Sequence, residues 1–440
     1  MIGGFLFPLL PMQKGDKKII TAWCFYDWAN SVYPLVITST IFPIYYESVT
    51  KTATSDNVHF LGLDFINTTL YTFALAFGYL LVAFIAPLLS GIADYSGSKK
   101  RFMQFFCYLG AISCSAMYFF TGLENLWLGI LLTILACIGY SGSIVFYNAY
   151  LPEIADPKDH DRVSAKGFAM GYIGSAILLI MNLVMVMKPE FFGIENKENA
   201  TRYSFLTVGA WWILFAQIPF YYLPNNMYGK RPEGNYFFNG YKELLKVWKE
   251  LKQHPKLARF LSAFFVYNMG VQTVMLVATL FGSKELKLET TQLIIVILVI
   301  QFVAIIGAYL FSYLSGKKGN LFTLKSATII WIGVCVAAYF VYTANHFYIL
   351  AGIVGMVMGG IQSLSRSTYS KMLPDTEEHT IYFSYYDVTE KICIVCGMGL
   401  FGLLEQISES MRNPILALIL FFIVGFILLL RIPKTNVSSL

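Results

Sequence analysis

Between two long apolar runs, the sequence reads Gly91-Ile92-Ala93-Asp94-Tyr95-Ser96-Gly97-Ser98-Lys99-Lys100-Arg101. Its glycines permit a tight turn, its aspartate can cap or pair, and its three consecutive cations suit the inner surface of a bilayer. The same features also describe an ordinary basic turn that obeys the positive-inside rule. Under either interpretation, the segment predicts two membrane helices joined on the cytoplasmic side.

The chain on both sides of this turn is unusually apolar. Hydrophobic residues make up 57% of the 440 residues and charged residues 13%, whereas soluble proteins carry about 25% charged residues. Apolar runs near the length that crosses a bilayer as a helix are centred at Val36, Phe77, Ser113, Ala136, Leu178, Trp212, Gly270, Val299, Cys335, Val354, Ile394 and Phe421. The runs are continuous, which argues against the alternating pattern of a β-barrel. We therefore expect an all-α membrane protein with twelve transmembrane helices, the first and eleventh being weakest because they carry ionised residues.

Lysine and arginine are distributed unevenly between the predicted loops. With the N-terminus in the cytoplasm, 24 of the 32 fall on the cytoplasmic side and seven on the other, while Lys391 lies within a helix. Both termini are therefore predicted to be cytoplasmic, in a cell (inner) membrane, and the net charge of +6 requires no nucleic-acid partner. Residues 1–10 do not resemble a cleaved signal, and Met12, which precedes a basic cluster, is an alternative start of translation.

Features of the first half recur in the second. Three matches are in register, namely Asp27 with Asn268, Leu151-Pro152 with Leu373-Pro374, and Lys99-Lys100 with Lys317-Lys318. They indicate duplication, and repeated six-helix halves hold a substrate between them near the membrane midplane. The predicted segments are a cytoplasmic leader (1–20), a first six-helix half (21–223), a cytoplasmic linker (224–256), a second half (257–432) and a cytoplasmic tail (433–440).

The linker has the pattern of an amphipathic helix. Its apolar residues recur at helical spacing, as Tyr241, Leu244, Leu245, Trp248 and Leu251, with lysines and glutamates on the other face. We expect a basic helix that lies on the inner membrane surface and tethers the halves. A binding site for a calmodulin-like partner is the alternative.

Motifs for catalysis or metal binding are weak. The five histidines fall in predicted loops, without an HExxH motif or a Walker loop. Cys393 and Cys396 have CxxC spacing, but on a membrane helix without a second ligand pair they are better interpreted as buried packing residues. We expect a monomer with no cofactor, no metal and no enzymatic activity.

Ionisable residues inside apolar spans are costly unless they pair, face a cavity or take part in function. Asp27 has no cation in its own helix, so it is the first candidate for a proton site or a contact to a substrate ammonium, with capping as the alternative. In the eleventh helix, Asp387 and Lys391 stand one turn apart and could simply pair, next to Glu390. Arg366 ends the tenth helix and is predicted to hold a carboxylate or to join the halves.

Polar residues on the helices expected to line the cavity add further candidates for binding the substrate or protons. They are Asn30, Tyr33, Tyr147, Asn148, Asn268, Gln272 and Gln362. Amides and phenols suit a polar, zwitterionic or neutral solute, because they donate or accept hydrogen bonds without a net charge. For each of them, packing between helices is the competing role.

The turn at 91–101 resembles the signature loop of the major facilitator superfamily, and residues 315–319 resemble a degenerate second copy. In that superfamily the aspartate of the loop latches the two halves in the outward-facing state by contacting the start of the eleventh helix. The resemblance gives this role to Asp94. The rest of the latch is formed by Gly91, Gly97, Lys99, Lys100 and Arg101.

Longer stretches are similar to one branch of that superfamily, the vacuolar amino-acid effluxer-like permeases linked to autophagy in fungi and widespread in bacteria. These stretches are residues 22–31, 146–152, 162–172, 359–367 and 386–389. The resemblance implies a secondary transporter that exports amino acids or similar metabolites by alternating access, with protons as candidate coupling ions. Compact loops and a short N-terminus depart from the fungal pattern. The alternatives are a carrier for sugars, peptides or drug-like compounds, and a non-transporting membrane module.

Overall fold

The computed structural model describes residues 14–52, 55–225, 228, 236–408 and 412–433. The first half contains α1 (Lys17–Asn30), α2 (Ile41–Thr50), α3 (Asn67–Ser96), α4 (Lys99–Ala116), α5 (Leu126–Asn148), α6 (Leu151–Ile154), α7 (His160–Met187) and α8 (Lys197–Tyr222). A separate helix, α9 (Tyr236–Gln253), follows. The second half contains α10 (Pro255–Lys284), α11 (Thr290–Lys318), α12 (Asn320–Tyr339), α13 (Ala344–Met372), α14 (His379–Ser408) and α15 (Arg412–Leu430).

Most of these helices can cross a membrane. Nine of the described helical segments are long and apolar enough, and α10, which bends by 41° near Met275, is a tenth. The two remaining candidates, α1 and α14, do not meet the same criteria. α1 has 14 residues before the helix breaks, and α14 carries Asp387, Glu390 and Lys391. The expected total of twelve spans therefore remains a prediction for the first and eleventh helices.

The first span is broken rather than continuous. After α1 the chain passes through a π-helix, Tyr33–Thr38, before α2 begins. Pro34 lacks an N–H group, so the regular ladder of hydrogen bonds cannot continue through it. The hydroxyls of Ser39 and Thr40 donate to the carbonyls of Pro34 and Leu35 at 2.8 and 2.6 Å. These two side chains supply partners that the broken ladder lacks, as a bilayer requires.

A short β-hairpin departs from the expected all-α fold. β1 (Asn57–Phe60) pairs antiparallel with β2 (Leu63–Ile66). The two turn residues, Leu61 and Gly62, both have positive φ, at 50° and 81°, which is the geometry that two-residue hairpins prefer. The hairpin precedes α3, whose other end packs on α9. We call the end of the bundle that carries the hairpin the hairpin face. The opposite end, where α9 packs on the last turns of α3, is the linker face.

Buried apolar side chains form two clusters that follow the order of the chain. The first is built almost entirely from α1 to α8 and includes Trp23 and Trp212. The second is built mainly from α10 to α15 and includes Trp331 and Phe422, whose rings stack at 5.4 Å. Polar and charged groups that lie between the clusters are therefore placed between two separately packed bodies.

Candidate functional site

A buried ion pair joins α1 of the first half to α13 of the second. Both outer nitrogens of the Arg366 guanidinium lie 3.2 Å from Oδ2 of Asp27. The Tyr147 hydroxyl donates to the same oxygen at 2.7 Å. Arg366 is 3% exposed and Asp27 5% exposed. Asp27 thus obtains its cation from the opposite half of the molecule.

The other contacts of the Arg366 guanidinium also come from the first half. It donates to the Asn148 side-chain oxygen at 3.3 Å, and to the hydroxyl and carbonyl oxygens of Ser164 at 2.9 Å each. The rings of Trp23 and Phe168 lie 4.8 and 4.2 Å away, within the range of a cation–π interaction. Arg366 is therefore anchored in the half to which it does not belong.

Gly167 of α7 allows this pair to form. A Cβ at this position would lie 2.5 Å from Oδ2 of Asp27 and 2.9 Å from a guanidinium nitrogen of Arg366. Real Cβ atoms essentially never approach other atoms so closely. The absence of a side chain at Gly167 thus makes room for the ion pair.

A second group of ionised residues lies on α14. The Lys391 ammonium lies 3.1 Å from the Asp387 carboxylate and 3.0 Å from the Glu390 carboxylate. The side chain of Glu390 is 22% exposed and accepts a hydrogen bond from Gln272 of α10 at 3.3 Å. Lys391 also lies 5.8 Å above the Tyr79 ring of the first half. The predicted pair between Asp387 and Lys391 is present, and the neighbouring carboxylate of Glu390 remains partly accessible.

The remaining predicted residues occupy different environments. Gln362 accepts from the Tyr172 hydroxyl across the halves at 2.6 Å, and Asn268 donates to the Cys393 sulfur at 3.2 Å. Asn30 and Tyr33 are buried in the first half, 1% exposed each, and the Tyr33 ring packs on Tyr140. Asn30 and Tyr33 are therefore part of the packed interior of the first half.

Asp94 meets the start of α14. Its carboxylate accepts from the backbone N–H groups of Thr380 at 3.3 Å and Ile381 at 2.8 Å. The first N–H groups of a helix have no acceptor within the helix, and its positive end attracts an anion. This is the contact that the resemblance assigns to Asp94, and its role as a latch remains a prediction.

Two of the three cations after Asp94 are buried in the protein, although the sequence suggested that the cluster lies at the inner surface of the bilayer. Lys99 forms an ion pair with Glu153, and Lys100 donates to the Leu223 carbonyl at 2.7 Å. Both lysines are buried, because each finds a buried acceptor within the protein. Arg101 alone of the three is exposed.

Two acids that the sequence did not single out also join the halves. Asp161, at the start of α7, accepts from Ser315, Asn320 and Lys371, each at 2.7 Å. Glu153 lies 3.3 Å from the ring of His379. The histidines expected in loops include His379, which instead begins α14. These acids flank helix ends in short segments, which a search for charges within the apolar runs passes over.

An apolar cavity in the second half lies apart from these groups. Its walls include Val274, Phe281 and Phe347, and none of the predicted site residues lines it. Among the described residues, no three His, Cys, Asp or Glu side chains are grouped so that they could hold a metal ion. The polar contacts between the halves are thus the better candidate site.

Comparison with known proteins identifies the family. A family model described as "Vacuole effluxer Atg22 like" matches residues 15–437. The chain belongs to this family. Its relatives include the MFS-type transporter YxiO of Bacillus subtilis, 33% identical over 97% of this chain and 98% of that protein. Autophagy-related protein 22 of Eremothecium gossypii is 26% identical over 93% of this chain and 90% of that protein.

Solved structures place this Atg22-like chain in the major facilitator fold. The transporter FucP in its outward conformation aligns with a TM-score of 0.72, at 13% identity over 96% of this chain and 99% of that one. The human organic anion transporter MFSD10 also aligns with a TM-score of 0.72, at 10% identity over 95% of this chain and all of that one. The chain is therefore a multi-pass membrane protein of a transporter superfamily.

Among the described residues, the contacts between the halves of this Atg22-like chain that involve a carboxylate have a common polarity. The carboxylates of Asp27, Asp94, Glu153 and Asp161 all belong to the first half. In each contact the donor group belongs to the second half. The last three acids lie at the ends of helices on the linker face. The linker face is therefore closed by polar contacts that begin at the buried pair and continue outward.

Proposed function

We propose that this Atg22-like chain is a secondary transporter that exports amino acids or similar small polar solutes by alternating access. It works as a monomer of twelve spans in a cell membrane, with the linker face and both termini in the cytoplasm. The observation that carries the proposal is the buried guanidinium of Arg366, whose described partners all lie in the other half. A contact of this kind has to be broken and remade whenever the two halves rock.

Breaking the pair requires a replacement partner for Arg366. Leaving one member of a buried ion pair alone costs about 3–5 kcal/mol. A solute carboxylate that reaches Arg366 can replace the Asp27 carboxylate, and a proton on Asp27 removes its charge once the pair has separated. Either event lowers the cost of opening the linker face, which couples occupancy of the site to the change of conformation.

The chemistry of the site suits a zwitterion. Glu390 offers a partly exposed carboxylate to an ammonium group, and Arg366 offers its guanidinium to a carboxylate once its pair with Asp27 separates. The amides of Gln272 and Gln362 are also partly exposed and can donate or accept. The description of the family as vacuole effluxers supports export as the direction. A carrier for sugars, peptides or drug-like compounds uses the same fold and is the alternative.

The test is transport by the purified chain in liposomes. Preloaded vesicles are offered labelled amino acids, sugars and dipeptides, with and without a proton gradient. We expect exchange and gradient-driven flux of amino acids. Flux of sugars or peptides alone would overturn the solute class and keep the carrier, whereas no flux in any condition would contradict a transport function.

Asp27→Asn tests proton coupling in the same vesicles. Asparagine keeps the size of the side chain and an oxygen for Arg366, but it cannot carry the proton. We therefore expect gradient-driven uptake to be lost while exchange remains. Asp56→Asn, which alters an exposed pair with Lys51, is the matched control and should change neither activity. An unchanged pH dependence in Asp27→Asn would rule out Asp27 as the proton site.

A further inference from the structure

The helix α9 packs against the end of α3, beside Asp94. Gly240 and Gly91 let the two helices touch, since a Cβ at Gly91 would lie 2.3 Å from the Gly240 carbonyl oxygen. Next to this contact, Asn239 donates to the Tyr95 hydroxyl at 2.9 Å. The linker helix is therefore fixed directly to the signature turn of the first half.

The same helix also binds the start of α14 in the second half. The Tyr385 hydroxyl donates to the Leu244 carbonyl at 3.0 Å, and the rings of Tyr385 and Trp248 lie 5.5 Å apart. The Lys246 ammonium lies 3.0 Å from the carboxylate of Glu378, the residue before α14 begins. The hydrogen bond that Lys246 donates to Glu378 is the main cause of the raised pKa of Lys246.

The helix α9 thus bridges the same two elements that Asp94 joins. Asp94 connects the end of α3 to the first N–H groups of α14. When the linker face opens, these two ends separate, and α9 cannot keep its contacts with both. Anything that holds α9 in place therefore favours the closed linker face.

The outer side of α9 carries an apolar stripe. The side chains that pack inward are those of Val247, which is fully buried, and Leu244. The sequence pattern placed Tyr241, Leu245 and Trp248 on the same face as Leu244, but the structure exposes these three and Phe238 at spacings of three and four residues. These four residues and their exposed fractions are Phe238 (64%), Tyr241 (49%), Leu245 (42%) and Trp248 (48%).

A basic row runs beside this stripe. Lys242 and Lys249 are exposed and follow the apolar residues around the helix. Only His254 separates α9 from α10, so the end of α9 stays next to the start of this long helix. Aromatic and aliphatic residues next to lysines are typical of helices that lie in the headgroup region of an anionic leaflet. The lysines would attract an acidic protein as well, but the exposed aromatic and aliphatic side chains beside them favour the lipid surface.

We propose that α9 docks on the anionic leaflet through this stripe and its lysines, and that docking stabilises the closed linker face. The inference rests on the cytoplasmic orientation of the linker face given under the proposed function. It does not depend on the transported solute. Its tests therefore measure membrane contact and closure rather than flux.

The first test measures contact with lipid in the full-length protein. A spin label at Leu245→Cys probes the apolar stripe, and one at Gln253→Cys, on an exposed position of the same helix, is the matched control. In nanodiscs with phosphatidylglycerol, we expect the label at position 245 to favour oxygen over a water-soluble nickel complex, and the label at 253 to show the reverse. Equal access of the nickel complex to both would place α9 away from the bilayer and overturn the proposal in favour of a protein partner.

The second test measures closure. Spin labels at Lys158→Cys and Lys318→Cys lie on exposed positions of the two halves at the linker face, in a Cys396→Ala background, because the other six cysteines are buried. Replacing phosphatidylcholine by phosphatidylglycerol should raise the ratio of short to long distances by roughly five- to thirtyfold, the effect expected for one or two lysines. No change with lipid charge would overturn the proposal.

Two variants separate the lipid contact from the packing of α9. Lys242→Gln/Lys249→Gln should remove the response to phosphatidylglycerol, whereas Lys17→Gln/Lys18→Gln, which removes equal charge from exposed positions at the start of α1, should retain it. Gly240→Val forces α9 away from α3, since its Cβ would lie 2.7 Å from the Ile92 nitrogen. It should favour the long distance in both lipids. Retained closure in Gly240→Val would show that α9 is not the element that holds the face closed.

Discussion

At the scale of single residues, the central constraint is a guanidinium that cannot lose its charge. Arginine remains protonated in proteins, so Arg366 always needs an anion or several oxygen acceptors when it is buried. Asp27 supplies the charge, and Asn148 and Ser164 supply the remaining acceptors. A solute that carries a carboxylate can therefore supply the anion that the buried Arg366 requires.

Gly167→Ala should impair transport although it adds a single methyl group. The new Cβ would displace Asp27 or Arg366, and overpacking of this kind costs about 1–3 kcal/mol. We expect the rate of exchange in liposomes to fall about tenfold or more. Gly333→Ala, where nothing lies within 4 Å of the new Cβ, is the matched control. Equal rates in the two variants would contradict the role of Gly167.

The residues of the pair were predictable, but the pairing was not. Asp27 and Arg366 stand out because ionised groups in apolar spans need a reason. They are 339 positions apart, and no local pattern links them. Asp161 and Glu153 were missed because acids in short loops ordinarily face water, whereas here each accepts from buried groups of the opposite half.

At the scale of elements, helix ends decide how the linker face closes. Three contacts meet at the start of α14. Asp94 accepts from its backbone N–H groups, Glu153 contacts His379, and Lys246 of α9 pairs with Glu378. The apolar pattern predicted the long helices and the amphipathic α9 well. It did not predict the break in the first span, which depends on Pro34 and nearby hydroxyls, or the hairpin, whose register depends on a two-residue turn.

Asp94→Asn should loosen the start of α14. Thr380 and Ile381 donate to different oxygens of Asp94, so the amide keeps one of these acceptors and loses the other. It also loses the charge, which alone is worth about 0.3–1 kcal/mol at a helix N-terminus. We expect a two- to fivefold shift toward the long distance between spin labels at positions 158 and 318. Asp159→Asn, which alters a pair with the largely exposed Arg162, should give no shift. A shift of the same size in both variants would show that Asp94 acts only through its charge at the surface and not through its contact with α14.

At the scale of the whole molecule, orientation follows from charge rather than from shape. The two clusters of buried residues pack in the same way whichever face is cytoplasmic, so the fold alone does not orient the bundle. The distribution of lysine and arginine predicts an orientation, because the sequence assigns 24 of these residues to the cytoplasmic side and seven to the other.

Cysteine labelling in intact cells tests this orientation. Lys51→Cys, before the β-hairpin, should react with a membrane-impermeant reagent, whereas Lys158→Cys should react only after the cells are permeabilised. Both positions are exposed in the folded protein, so the difference measures the side of the membrane. The opposite result would reverse the topology and remove α9 from the cytoplasmic leaflet.

The common polarity of the contacts between the halves limits how this protein can have evolved and how it can be rebuilt. A symmetric ancestor made of two identical halves would have to present acids and donors on both surfaces. At the ion pairs the first half presents the acids and the second presents the cations, so two copies of the first half would leave Asp27 without Arg366 and Asp161 without Lys371. The contacting surfaces of the two halves are complementary in charge, so neither half can replace the other.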